Sequence, residues 1–146
     1  MPKSITFEIP GKPLAKQRHR KAASGRMYTP KETVNYEDFI KYIYLELKKR
    51  LWFEKYVWIG FQAYFKIPKN TSRKRALLML DNVIEHDKKP DADNLLKIIM
   101  DGLKGAAYSE DAKVTKILES CKYYTEGRER VVVTLTAKNE GVQEIG

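Results

Sequence analysis

Val57, Ile59, Phe61, Ala63, Phe65 and Ile67 alternate with the residues between them over a single run. A period of two over that length is a strand with one buried face, and here it spans Tyr56 to Ile67. Pro68 ends it, because proline has no backbone donor to continue a ladder. Such a strand needs partner strands beside it and a cover for its apolar face. The rest of the chain supplies both. Ser4 to Pro10 alternates Ile5, Phe7 and Ile9. Val114 to Tyr124 and Arg130 to Ala137 are rich in β-branched and aromatic residues, with Glu126-Gly127 between them, and read as a hairpin. Thr29-Pro30-Lys31-Glu32 is a capping box that starts a helix running to about Arg50. Thr71 or Ser72 caps a second helix through Leu80, and Asn94 to Leu103 is a third. The order β, long loop, α, β, α, α, β, β predicts an α+β domain. Its small mixed sheet carries helices on one face, in two layers. The expected division is one domain over 1–138 and a flexible tail over 139–146.

Charge narrows the function. Twenty-eight Lys and Arg against 19 Asp and Glu give a net charge of +9. That surplus predicts a polyanionic partner, nucleic acid before an anionic membrane. The cations gather in the loop Gly11–Tyr28, which has almost no apolar periodicity and lacks the apolar face of an interfacial helix. Lys16, Arg18 and Arg20 are its candidate phosphate contacts, and Lys88 and Lys89 are two more beside the acidic stretch. Cys121 is the only cysteine, which excludes an intrachain disulfide framework and a multi-Cys zinc site. No apolar run spans a bilayer, and Met1 to Pro10 lacks the apolar run of a signal peptide. A cytoplasmic location, no membrane and no organic cofactor are expected.

The stretch from Lys88 to Val114 places carboxylates inside this basic chain. Asp91 and Asp93 follow Pro90, and point the same way if that segment is extended. Asp93, Lys97, Asp101 and Lys104 form one helical stripe. The remaining circumference is mostly apolar, so the helix should be buried except along that line. Glu110-Asp111 precedes the next strand. Carboxylates converging from separate segments repel unless a cation joins them. Hard oxygen donors select Mg²⁺, with Mn²⁺ as a substitute. Such a site is the usual apparatus of phosphodiester hydrolysis, and a lysine one turn away could stabilise the transition state. Plainer readings stand beside this one. Asp93 could be a helix cap, the stripe an i, i+4 ion-pair ladder, and Glu110-Asp111 ordinary loop residues. His86 reads as a solvated loop residue and Cys121 as a packed one.

PDADNLLKIIMDGL followed by YSEDAKV resembles the RusA family of Holliday-junction resolvases. FEIPGKPLAKQRHR and the later helix beginning at Thr29-Pro30 resemble that family's first strand and basic loop. The likeness runs from about Ile5 to Leu135. It implies a small α+β endodeoxyribonuclease, acting as a homodimer, that makes paired Mg²⁺-dependent nicks in four-way DNA. Carried over residue by residue, Asp91, Asp93 and Asp111 match the family's catalytic, metal-binding carboxylates, and Lys97 its essential lysine. Glu110 stands where the family often has a second Asp. Two other functions are compatible with the residues alone: a non-catalytic nucleic-acid-binding module, and a metal-dependent nuclease for other branched DNA.

Overall fold

The computed structural model describes residues 2–16, 20–28, 30–138 and 140–146, with Arg20 described at its backbone only. Along the chain come β1 (Pro2–Pro10), the short strands β2 (Arg20–Lys21) and β3 (Met27–Tyr28), α1 (Lys31–Leu45), β4 (Arg50–Phe53) and β5 (Val57–Lys66). Then follow α2 (Arg73–Leu80), α3 (Ala92–Leu103), a 3₁₀ turn at Asp111–Lys113, β6 (Val114–Ile117), β7 (Cys121–Thr125), β8 (Arg130–Lys138) and β9 (Val142–Ile145). The architecture is α+β, as the element order predicts.

The alternating run is β5, and it lies inside the main sheet. Val57, Ile59, Phe61, Ala63 and Phe65 are buried on one face. One edge of β5 pairs antiparallel with β8, from Trp58↔Thr136 to Tyr64↔Arg130. β8 in turn pairs antiparallel with β1 along its whole length, from Pro2↔Lys138 to Pro10↔Arg130. The other edge of β5 carries two parallel partners in succession, β6 and β7.

The expected hairpin of Val114–Tyr124 with Arg130–Ala137 is therefore corrected: β5 lies between its two arms. The turn signal at Glu126-Gly127 is local, whereas β5 offers two free edges, and each arm takes one. The first arm is also two strands rather than one. It breaks where Leu118 to Ser120 cross over Gly60. A Cβ on Gly60 would stand 2.9 Å from Leu118 Cβ, so only glycine admits that crossing. Ser120 Oγ accepts from the Phe61 amide at 3.0 Å, replacing the ladder bond that the break removes.

Helices α1 and α3 cover the inner face. Tyr36, Ile40 and Tyr44 of α1 and Leu95, Ile98, Ile99 and Leu103 of α3 join the strand residues in one core. The two helices cross closely at Gly102, where an added Cβ would stand 2.8 Å from Ile40 Cβ. As expected, α3 is buried except along its charged stripe: Asp93 and Lys97 are exposed, while Leu96 and Met100 are half-buried against the core. Ser72 caps α2, its Oγ accepting from the Arg75 amide at 3.3 Å.

Three expectations of extent change. α1 ends at Leu45 rather than near Arg50, because Arg50–Phe53 forms a strand. Tyr44 stabilises that change, its hydroxyl donating to the Leu51 carbonyl and accepting from the Leu51 amide. The residues expected as a tail include β9, which pairs antiparallel with β4, and Val142 is buried there. The basic loop holds a small ribbon of β2 and β3, turned at Gly25, whose φ of +86° only glycine adopts freely. The proposed cap Thr29 lies outside the described residues, and Pro30 makes no side-chain cap bond to α1.

Candidate active site

The charged stripe of α3 carries two of the candidate residues, Asp93 and Lys97. The helix begins two residues earlier than its apolar pattern indicates, so Asp91 rather than Asp93 occupies the N-cap. That removes the extended geometry in which both carboxylates point the same way. It also corrects the reading of Asp93 as the cap. Asp93 lies in the first helical turn, where its Oδ1 accepts from the Asn94 amide at 2.9 Å. Asp91 holds the cap position by its backbone alone, its carbonyl accepting from Leu95 at 3.0 Å and its carboxylate making no capping bond. An Asp at this position ordinarily satisfies a free amide. Here the carboxylate is exposed and available for another partner.

Asp91 opens onto a groove between the basic loop and the start of α3. Lys12, Lys16, Lys89, Pro90 and Asn94 line it with Asp91. The loop is fastened to the helix by the Lys16 amide, which donates to the Asn94 carbonyl at 3.1 Å. The ammonium of the same residue turns toward the far end of α3. It pairs with Glu37 Oε2 of α1 at 2.6 Å and with Asp101 Oδ2 at 2.9 Å. Burial pulls the Lys16 ammonium down, but its hydrogen bonds to Glu37 and Asp101 outweigh burial and hold it above its ordinary pKa. Lys16 is thus engaged in an internal ion network joining the loop, α1 and α3.

Asp111, in the 3₁₀ turn, meets that network. Its carboxyl is raised above its ordinary pKa, first by partial burial and then by the charge of Asp101, with which it also shares a hydrogen bond. Lys104 and Lys16 oppose the rise. Tyr108 is buried beside the pair and donates to the Met100 carbonyl at 2.7 Å, and burial followed by the charges of Asp111 and Asp101 pushes its phenol up.

The structure therefore gathers the candidate residues in two places. Asp91 stands with Lys89 and the basic loop, with Asp93 and Lys97 along the next turns of α3. Asp111 stands with Asp101, Lys16 and Glu37. Among the described residues, no three of His, Cys, Asp and Glu are grouped closely enough to hold a metal ion. The ladder reading of the stripe also fails, since no ion pair joins Asp93, Lys97 and Asp101. Lys88 and Lys89 are exposed. Arg18 lies outside the described residues, and of Arg20 only the backbone is described. Sequence reasoning did not nominate Lys12, Glu37 or Asp101. Asp101 carried a signal, its place on the stripe, but nothing in the sequence pairs it with residue 16 or 111.

No helix among the described residues is long and apolar enough to cross a membrane. A comparison with curated proteins gives no match. The family model of endodeoxyribonuclease RusA matches residues 10–136, which takes in the basic loop, the α3 stripe, the 3₁₀ turn and nearly all of β8. A match over that share of the chain shows that this chain belongs to the RusA family of endodeoxyribonucleases.

Proposed function

We propose that the protein resolves four-way (Holliday) DNA junctions by paired, symmetric nicks during recombination and repair. It acts in the cytoplasm as a homodimer that uses Mg²⁺, with Mn²⁺ as a substitute. The observation that carries this reading is the Asp91 carboxylate. It is free of capping duty and faces a groove that Lys12 and Lys89 make attractive to phosphate.

The donor chemistry fits a hard divalent cation. Asp91 and Asp93 are exposed carboxylates, and the Asp101–Asp111 contact is a like-charge pair that a further cation would relieve. Asp91 and Asp93 at the start of α3 and Asp111 at the 3₁₀ turn would supply the carboxylates, and a single ion shared by all three would require these two places to draw together. When bound, the ion would activate the attacking water and offset charge on the scissile phosphate.

The chain's own residues do the rest. Lys97 lies one turn beyond Asp93 on the exposed stripe and has no carboxylate within ion-pair distance among the described residues. Its ammonium is left to orient a phosphate oxygen or neutralise developing charge. Lys12, Lys88 and Lys89, with Arg18 and Arg20 of the loop, draw in the DNA backbone. Lys16 contributes by fastening the loop to α3. A twofold dimer suits a junction of approximate twofold symmetry, because two identical sites in matched register give two opposed cuts.

The test is cleavage of a labelled four-way junction and of linear duplex of the same sequence, with Mg²⁺ and with EDTA. Paired Mg²⁺-dependent nicks in the junction alone support the proposal. Equal cutting of the linear duplex would replace it with a nuclease of another substrate class.

A further inference from the structure

The segment entering α3 carries Lys88, Lys89 and Asp91, and it is held from the sheet by one side chain. Lys122 of β7 donates from Nζ to the Lys88 carbonyl at 2.7 Å and to the Pro90 carbonyl at 3.0 Å. Two bonds from one ammonium onto carbonyls two residues apart fix the turn as a unit. The upstream end is fixed separately. His86 is buried, stacked on Phe65 with ring centroids 3.8 Å apart and inclined against Tyr124 at 5.1 Å. Asp91 follows Pro90 directly, and its carbonyl starts the helical ladder. The backbone that carries Asp91 into α3 is therefore held from β7 through Lys122.

The choice of lysine is informative. Residues 87–91 carry Asp87 and Asp91 as well as Lys88 and Lys89, so the ammonium beneath them meets a segment of no net charge, and a charged donor bonds the two carbonyls more strongly than a neutral one.

We infer that Lys122 is a positioning residue for strand cleavage: it holds Lys88–Asp91 so that the Asp91 carboxylate stands free at the start of α3. This rests on the nuclease reading above. The test follows junction nicking by the full-length protein across a Mg²⁺ titration, comparing wild type, Lys122→Met and Lys122→Arg. Junction binding in EDTA and thermal melting are measured on the same preparations. Lys122→Met is expected to weaken the Mg²⁺ response and the rate together by about 10–100-fold, the usual effect of removing a group that orients a metal ligand. Binding and melting should stay near wild type, because both carbonyls can turn to water. Lys122→Arg should recover most of the loss, since a guanidinium can donate to both carbonyls. A Lys122→Met enzyme with the wild-type Mg²⁺ midpoint and rate would overturn the inference, as would an Arg variant no better than Met. If Lys122→Met does not fold, Lys122→Leu carries the same comparison, since it also has no donor for either carbonyl. Wild type that nicks no junction in Mg²⁺ would overturn the nuclease reading itself, before any variant is compared.

Discussion

Asp111→Asn should make the metal-free protein more stable while it destroys cleavage. In the folded chain Asp111 meets Asp101 at hydrogen-bonding range, and burial together with that charge raises its pKa. A raised carboxyl pKa means that the folded state binds the proton more tightly than the unfolded one. Stability then falls as pH rises from the ordinary carboxylate value through the folded value, and it stays reduced at neutral pH. Two unit charges 4 Å apart repel by about 1 kcal/mol in water and about 4 kcal/mol at an effective dielectric constant of 20. Partial exposure and the Lys16 ammonium, 2.9 Å from Asp101, reduce this, leaving a net penalty of about 1 kcal/mol. Asparagine removes the charge and can donate a hydrogen bond to Asp101. For a chain of this length that amounts to a rise in melting temperature of about 2–4 °C. The assay is thermal unfolding in EDTA from neutral pH down through the carboxylate range. The advantage of Asp111→Asn should be full at neutral pH and shrink as wild-type Asp111 becomes protonated. Equal or lower stability of the variant at neutral pH would refute the account of the Asp101–Asp111 contact.

Other consequences follow from the same geometry. Gly102→Ala places a Cβ 2.8 Å from Ile40 Cβ, and urea unfolding should show a net loss of about 1–2 kcal/mol, overpacking exceeding the gain in helix propensity. Lys16→Met leaves Glu37 and Asp101 without their shared cation. It should lower stability by about 1–3 kcal/mol and loosen the basic loop, read as faster proteolysis between residues 12 and 28. Junction binding should weaken steeply with salt, and Lys89→Ala should flatten the slope of log K against log salt by about one counterion without changing which DNA is preferred.

The sequence is most legible where burial imposes a period. β5 and the apolar circumference of α3 are written in residues that must face the core, and both appear where the pattern places them. Pairing is less legible, because a strand's partner depends on which edges are free. The Glu126-Gly127 signal marks a turn correctly but does not reveal that the turn passes over the end of β5. β9 is hidden for a similar reason: its four residues carry little apolar signal, and β4, the edge that orders them, lies far away in sequence. At the candidate site, spacing marked a cluster of carboxylates that a basic chain has few reasons to form, but left their role open between ligand, cap and ion pair. The role of Lys16 could not be read, because a lysine in a basic loop looks like a phosphate contact until its partners on α1 and α3 are known. Asp91 gains its meaning from a single backbone detail, the two-residue extension of α3 that makes it a cap whose carboxylate caps nothing.

The central claim is that the α3 carboxylates cut branched DNA. Its most direct test is nicking of a labelled four-way junction by wild type and Asp93→Asn, in Mg²⁺ and in EDTA, with binding followed in parallel. The account predicts symmetric Mg²⁺-dependent nicks by wild type and none by Asp93→Asn, with junction binding retained by both. Wild-type turnover by Asp93→Asn would remove that residue from the reaction and contradict the site described here.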